Sequence, residues 1–128
     1  MSKLYKLKNI KTIIFSRTDS IGDVMLTLPM IGIFKEYYPA CKVIFLGKKY
    51  TRAIAGSCMN MDMFVNWDEI ISKPSRERVS ALKSLNADAI IHVFPNREIA
   101  ALSKKAKIPL RIGTGHRIYH WLTCNKLM

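Results

Sequence analysis

Residues 13–29 read IIFSRTDSIGDVMLTLP, an apolar run followed by a polar turn with a glycine and then by apolar residues at helical spacing. The run is typical of a β-strand, which we place at about Thr12–Ser16. The later residues predict a helix that ends near Tyr38 and carries Asp23 in its first turn. A strand that passes through a short turn into a helix puts that turn at the carboxyl edge of a sheet, where open α/β folds bind their ligands. The stretch therefore predicts a fold and a site together.

The alternation of strand and helix continues along the chain. Further strands are predicted at 41–46, 63–66, 89–94 and 110–113, and helices at 48–55, 76–85, 97–106 and 116–122. Parallel neighbours need crossover connections, which are usually helices, so this order predicts an α/β fold with a doubly wound, mostly parallel, Rossmann-like sheet. Residues 125–128 form no recognisable element. We therefore expect a single Rossmann-like domain over residues 1–128 of a truncated chain or fragment.

Composition limits the class of protein. With 128 residues and 49% hydrophobic content, the chain has the size and apolar content of one domain. It has 21 Lys and Arg against 9 Asp and Glu, and the net charge of +12 favours anionic partners such as nucleic acid, lipid headgroups or phosphorylated sugars.

Cys41, Cys58 and Cys124 have neither metal-ligand spacing nor a disulfide pattern, which favours reduced thiols. No run of about 18 apolar residues occurs, so we expect a cytoplasmic protein with at most peripheral membrane contact.

Two interpretations of Asp23 follow from its position. Ser20 and Asp23 have the spacing of a capping box, in which such residues stabilise a helix by about 0.5–2 kcal/mol. Alternatively, the Asp23 carboxylate faces a ligand at the sheet edge. The two geometries are compatible, because a helix N-terminus favours a negative charge in either case. Asp19 is interpreted as a turn residue, as Asp commonly is.

The motif Arg-Thr-Asp-Ser-Ile-Gly-Asp-Val at 17–24, continued by Thr-Leu-Pro at 27–29, resembles the opening motif of the ADP-heptose:lipopolysaccharide heptosyltransferase family, glycosyltransferase family 9. Ile-Pro-Leu-Arg-Ile-Gly at 108–113 falls where that family has a similar segment. The resemblance is to the N-terminal, acceptor-binding lobe and implies one half of a two-lobed GT-B glycosyltransferase. Two such lobes need about 200–300 residues, so the nucleotide-sugar lobe is absent from 128 residues and we expect the isolated chain to be inactive.

The resemblance also implies how the site works. Asp23 takes the position of a general base, which removes the proton of the acceptor hydroxyl during inverting transfer of heptose to the lipopolysaccharide inner core. The donor is a nucleotide-sugar, ADP-heptose, bound as a substrate, and neither a cofactor nor a metal is implied. The acceptor is the lipopolysaccharide core or lipid A at the inner face of the cytoplasmic membrane. The residues expected to bind the acceptor are Arg17, Thr18, Ser20, Gly22, Lys49, Arg52, Arg97 and His116.

Other interpretations remain open. The basic residues of that set follow predicted strands, where they could bind carboxylate or phosphate, but each can also be solvated surface. His92 is interpreted as an interior residue of its strand. A non-catalytic basic module that binds nucleic acid or anionic lipid is the main alternative. We expect no nucleic-acid binding, because aromatic residues do not alternate with basic ones and no recognition motif occurs. A flavodoxin-like nucleotide-binding domain is disfavoured because the first turn lacks both glycine-rich phosphate motifs.

Overall fold

The computed structural model describes residues 10–19, 21–57, 60–94, 96–113 and 126–127. Strand β1 (Thr12–Ser16) leads into the long helix α1 (Ile21–Tyr37), which is followed by β2 (Lys42–Gly47). The remaining elements, in chain order, are a 3-10 turn at Lys49–Thr51, α2 (Arg52–Gly56), β3 (Met63–Asn66), α3 (Trp67–Ile71), α4 (Ser75–Lys83), β4 (Ala89–His92), α5 (Arg97–Lys105), β5 (Leu110–Gly113) and β6 (Lys126–Leu127).

The six strands form one parallel sheet in the order β3-β2-β1-β4-β5-β6. β1 is central, and Ser16 at its end pairs in register with Leu46 of β2 and His92 of β4. The chain runs outward from β1 to β3 and returns to β4 on the other side of β1, so the strand order reverses between β1 and β4. This confirms the predicted doubly wound α/β fold. Ligands of such folds bind in the crevice at the carboxyl ends of the strands where the order reverses.

Apolar layers on both faces of the sheet fix the position of β1. Ile13 and Phe15 pack on one face with α1, whereas Ile14 packs on the other face with α3, α4 and α5. All three side chains are buried. A continuous apolar run of this kind is typical of a parallel strand that helices cover on both faces. Because both faces are covered, the polar turn after Ser16 begins at a fixed place on the sheet edge.

Several elements differ from the prediction. The expected helix at 48–55 is a 3-10 turn followed by the short α2. α3 was not predicted; this five-residue helix starts where the Asn66 side chain accepts the Asp68 N–H at 2.9 Å. β4 ends at His92 instead of residue 94, because the amides of Val93 and Phe94 both donate to the Ser16 carbonyl, at 3.0 and 3.2 Å.

The expectation that residues 125–128 form no element is wrong. Lys126 and Leu127 form β6, whose residues pair with Ile112 and Gly113 of β5. Two residues of strand carry too little pattern to be predicted, since their pairing depends on the exposed edge of β5. The helical tail expected at 116–122 lies outside the described residues.

Asp62 connects the segment before β3 to β2 and α1. Its carboxylate accepts the Val43 N–H at 2.7 Å and lies 2.9 Å from Nζ of Lys35. Burial acts to raise the pKa of Asp62, but the Val43 amide and the Lys35 ammonium outweigh burial and hold this pKa below its ordinary value. The ionised form of Asp62 therefore stabilises the fold.

We expect Asp62→Asn to lower the free energy of unfolding at neutral pH by about 1 kcal/mol or less, because water screens the pair. A lowered pKa in the folded state stabilises at pH values above the unfolded-state pKa, and the stabilisation is lost as the pH falls through the folded-state pKa. Urea unfolding of both proteins should therefore give a difference at neutral pH that shrinks as the pH falls below the ordinary value of 3.8 and disappears below the folded-state pKa of Asp62. A deficit that persists in acid would contradict this assignment.

Candidate functional site at the carboxyl edge of the sheet

The loops after β1 and β4 meet at the carboxyl edge of the sheet. Asn96 Nδ2, in the loop after β4, donates to Thr18 Oγ1 in the turn after β1 at 3.3 Å. The side-chain oxygen of Asn96 also caps α5. Thr18 is buried, so this bond satisfies a polar group that water does not reach. The crevice where the strand order reverses is thus built by two segments that are distant in sequence.

Three charged side chains form a cluster where the turn after β1 enters α1. Arg17 contacts both carboxylate oxygens of Asp19: Nε lies 2.9 Å from Oδ1, and Nη2 donates to Oδ2 at 3.0 Å. The same Nη2 lies 3.3 Å from Oδ1 of Asp23. A guanidinium presents its donors in a planar fork, which lets one arginine contact two carboxylates.

The two carboxylates differ in their access to solvent. The side chain of Asp19 is 16% exposed, whereas that of Asp23 is 44% exposed. Asp23 is therefore the acidic group that a ligand in the crevice can reach, and Arg17 and Asp19 lie behind it. Asp23 also stands in the first turn of α1, where a carboxylate interacts favourably with the helix N-terminus.

Burial raises the pKa of the Asp19 carboxyl above its ordinary value. The Arg17 guanidinium and a main-chain hydrogen bond act in the opposite direction, while the neighbouring Asp23 carboxylate adds to the rise. The cluster holds two acidic groups and a single cation. Arg17 and the main-chain hydrogen bond therefore favour the ionised form of Asp19, against burial and the Asp23 carboxylate.

A second turn borders the crevice. Tyr50, in the 3-10 turn after β2, donates its hydroxyl to the main-chain carbonyl of Asp19 at 2.7 Å, yet more than half of the residue stays exposed. The neighbouring Lys49 is exposed, and its main-chain amide donates to Oδ2 of Asp68 at 3.0 Å. These bonds connect the turn to Asp19 on one side and to Asp68 on the other. They place an aromatic ring and a basic residue beside the charged cluster.

Gly22 leaves open space next to Asp23. A Cβ built at Gly22 meets no atom within 4 Å, and the backbone there does not adopt the left-handed conformation that requires glycine. Neither packing nor backbone geometry therefore explains a glycine at this position. The open space is available to a ligand.

Most of the predicted acceptor residues that the structure describes lie at the same edge of the sheet as Asp23. They are Arg17, Thr18, Gly22, Lys49 and, at the start of α5, Arg97. Arg52 differs, because its guanidinium lies 5.5 Å from the centroid of the Phe64 ring and packs on β3, two strands away from β1. Ser20 and His116 lie outside the described residues. The binding roles of all these residues stay predictions.

Three contributors to the site were not predictable from the sequence. Asn96 precedes a predicted helix and carries an N-cap signal, but nothing in the sequence indicates its bond to Thr18. The hydrogen bond from the Tyr50 hydroxyl joins the turn after β2 to Asp19 in the turn after β1. The ion pair between Arg17 and Asp19 lies within the turn after β1. His92, interpreted as an interior residue, is indeed buried at the end of β4.

In the part of the chain that the structure describes, no group of three or more His, Cys, Asp or Glu side chains is arranged to hold a metal ion. None of the described helices combines the length and apolar content needed to cross a membrane. Cys41 is a buried free thiol, whereas Cys58 and Cys124 lie outside the described residues.

The fold is similar to that of solved glycosyltransferase structures. E. coli heptosyltransferase WaaC with ADP matches 91% of this chain with a TM-score of 0.72 and 20% identity. A glycosyl transferase of family 9 from Veillonella parvula matches 92% of the chain with a TM-score of 0.69 and 20% identity. E. coli ADP-heptose lps heptosyltransferase II matches 80% of the chain with a TM-score of 0.65 and 16% identity. No family model matches the sequence, and no curated protein matches it significantly.

The chain spans only 40%, 35% and 30% of the lengths of these three structures, respectively. At such low identity the likeness establishes a shared fold. It confirms the predicted α/β fold, which matches a part of each of these glycosyltransferase structures.

Proposed function

We propose that this chain is the acceptor-binding lobe of a glycosyltransferase that transfers heptose from a nucleotide-sugar to the lipopolysaccharide inner core. The placement of Asp23 carries the proposal: a partly exposed carboxylate, contacted by Arg17, stands where the strand order reverses in a heptosyltransferase-like fold. This crevice is the general ligand site of such sheets. A carboxylate there is suited to accept a proton from a bound hydroxyl.

Asp23 is the proposed general base of an inverting reaction. It takes the proton of the acceptor hydroxyl as the hydroxyl oxygen attacks the anomeric carbon of the donor sugar. The bond from that carbon to the diphosphate breaks on the opposite face, so the electron pair leaves with the nucleotide diphosphate and the proton stays on Asp23. Arg17 is the proposed positioning residue, since it contacts one oxygen of Asp23 and is itself held by Asp19.

The proposed donor is ADP-heptose. Structures of WaaC contain ADP or ADP-2-deoxy-2-fluoro heptose, and the present chain spans 40% and 42% of their lengths. We therefore propose that a second lobe holds the nucleotide-sugar. The proposed reaction uses no cofactor and no metal ion.

The proposed acceptor is the anionic lipopolysaccharide core or lipid A. Lys49 and Arg97 are exposed at the edge of the sheet that carries Asp23, where they can contact phosphates or acidic sugars. The net charge of +12 would further favour association with such a ligand. A lipid-linked acceptor implies that the protein works at the inner face of the cytoplasmic membrane.

Calorimetric titration tests this proposal on the chain itself. The ligands are a deacylated inner-core fragment that carries acidic sugars and phosphates and, for comparison, duplex DNA at the same ionic strength. We expect saturable binding of the fragment and weaker binding of DNA. Arg97→Gln should weaken fragment binding by about tenfold, while Arg76→Gln on the distant α4 should not. A preference for DNA, or equal losses in both variants, would refute the proposal.

The substitution Gly22→Ala is expected to change the free energy of unfolding and the affinity for the fragment in opposite directions. Alanine favours a helix over glycine, so the substitution should raise the free energy of unfolding by up to about 1 kcal/mol. Its methyl group enters the open space beside Asp23 and should weaken fragment binding severalfold. Gly56→Ala at the end of α2 is the matched control, because a Cβ there also meets no atom within 4 Å. Unchanged fragment affinity in Gly22→Ala would show that the acceptor does not approach this part of the crevice.

A further inference from the structure

Tyr50 presents an exposed aromatic ring next to the proposed site. The residue is 54% exposed, although its hydroxyl donates a hydrogen bond of 2.7 Å to the main-chain carbonyl of Asp19. The side chain of Asp19 is paired with Arg17, which also contacts Asp23. A tyrosine combines a large apolar ring with a polar tip, and here the tip is the part that the protein holds. The bond therefore keeps the ring beside the turn that leads to the proposed base.

The turn that carries Tyr50 is fixed from within. The Thr51 side chain is completely buried, and both its hydroxyl and its amide donate to the Lys48 carbonyl, at 2.7 and 3.0 Å. At the end of β2, Gly47 lies so close to its neighbours that a Cβ there would be 2.7 Å from Cε1 of Phe45. A ring on such a turn is already ordered, so a ligand that stacks on it loses little free energy in ordering the protein.

Charged groups of both signs surround the ring. The Tyr50 hydroxyl contacts the turn that holds the carboxylates of Asp19 and Asp23, and the exposed Lys49 precedes Tyr50 in its own turn. An apolar protein segment that covered the ring would also remove water from these charges, which costs free energy. A pyranose ring has an apolar face of C–H groups and a rim of hydroxyl groups, so it can stack on an aromatic ring and still donate hydrogen bonds to carboxylates. The surroundings of Tyr50 therefore favour a sugar over an apolar partner.

A nucleotide base is the other ligand that stacks readily on tyrosine. A base would bring its phosphates to the same edge of the sheet, where folds of this kind bind them through glycine-rich turns. The turn after β1 has neither of the glycine-rich phosphate motifs. The proposed function also places the nucleotide-sugar on a second lobe. The ring of Tyr50 is thus better suited to the acceptor than to the nucleotide of the donor.

We propose that the Tyr50 ring stacks against a sugar ring of the acceptor and so orients an acceptor hydroxyl toward Asp23. This inference rests on the proposed function and names a residue that binds the acceptor of that reaction. Stacking depends on the shape of the ring, whereas the contacts proposed for Lys49 and Arg97 depend on charge. The contribution of Tyr50 can therefore be measured separately from theirs.

Calorimetric titration with the deacylated inner-core fragment tests Tyr50 through two substitutions that both remove the hydroxyl. Tyr50→Phe keeps the ring and should lose only about twofold in affinity, because the ring is no longer tethered to Asp19. Tyr50→Leu lacks the ring as well and should lose about tenfold. Tyr37→Leu is the matched control, since Tyr37 is 76% exposed but lies at the C-terminal end of α1, away from Asp23. Its affinity for the fragment should be unchanged.

Two further measurements separate stacking from charge and from stability. The loss in Tyr50→Leu should persist when the ionic strength is raised, whereas the loss in Arg97→Gln should shrink, because salt screens charged contacts. In NMR spectra of the bound fragment, the ring current of Tyr50 should shift C–H protons of one sugar ring upfield. This shift should remain in Tyr50→Phe and vanish in Tyr50→Leu. Thermal unfolding should give similar stabilities for these two variants, because both lack the same hydrogen bond.

Each outcome of these experiments decides the proposal. It is supported if Tyr50→Leu alone loses about tenfold and the upfield shift together. It is overturned if the Phe and Leu variants lose affinity equally, if Tyr37→Leu loses as much, or if the chain binds ADP and this binding falls in Tyr50→Leu, which would favour a nucleotide base. Equal fragment affinity in wild type and Tyr50→Leu would overturn the stacking alone and leave the proposed function intact. Absence of any fragment binding would refute both.

Discussion

Asp23→Asn should lower the rate of heptose transfer by about 10²- to 10⁴-fold, the usual contribution of a positioned general base. The assay uses a hybrid protein in which residues 1–128 are joined to the part of WaaC that this chain does not span, with ADP-heptose and lipid A carrying acidic sugars. Asparagine has nearly the shape of aspartate but cannot accept the proton of the acceptor hydroxyl. The loss should therefore appear in kcat, with little change in KM for the acceptor.

The free energy of unfolding serves as the control measurement in this experiment. Asp23 is 44% exposed, so Asp23→Asn should change the free energy of unfolding by no more than about 1 kcal/mol. Glu77→Gln, at an exposed position of α4, should leave both rate and stability unchanged. A hybrid that transfers heptose equally well with Asn at position 23 would leave this residue as a helix cap and would refute its role as the base.

Arg17→Gln is expected to destabilise the protein by about 2–3 kcal/mol at neutral pH, because it leaves two neighbouring carboxylates without their shared cation. Asp19 and Arg17 are both more than four-fifths covered, so water compensates little for the lost contact. Burial already raises the pKa of Asp19, and removal of the Arg17 guanidinium should raise it further. The destabilisation should consequently depend on pH.

The sign of this pH dependence follows from linkage. A carboxyl group whose pKa is raised in the folded state favours folding below its unfolded-state pKa, and this contribution is lost as the pH rises through the folded-state pKa. The deficit of Arg17→Gln should therefore be smallest in acid and should grow toward neutral pH. The double variant Arg17→Gln/Asp19→Asn should recover much of the stability at neutral pH, as urea unfolding can measure. A deficit that is independent of pH, or no recovery in the double variant, would contradict the ion-pair cluster.

The elements with clear boundaries in the sequence were predictable. β1, β3 and β5 have the predicted bounds, because apolar or β-branched residues stand between polar or glycine-containing segments. α3 was not predictable in the same way, since five residues show no helical period and the helix depends on the Asn66 cap and on burial of Trp67. The end of β4 depends on its hydrogen bonds to β1, which a local pattern does not reveal.

The candidate site was predictable only in part. The motif around Asp23 indicates a carboxylate at the start of a helix, and the sheet places it at the expected edge. The pairing of Arg17 with two carboxylates and the hydrogen bond of Asn96 to Thr18 depend on the folded chain.

Mapping of the bound acceptor by NMR tests the central claim most directly. The chain is titrated with the deacylated inner-core fragment, and chemical shifts of main-chain amides and of aspartate carboxyl carbons are followed. We expect saturable changes that centre on Thr18, Asp23 and Asn96, with the Asp23 carboxyl among the largest. Changes confined to α4, β3 or the amino ends of the strands would contradict the claim that the crevice between β1 and β4 receives the acceptor.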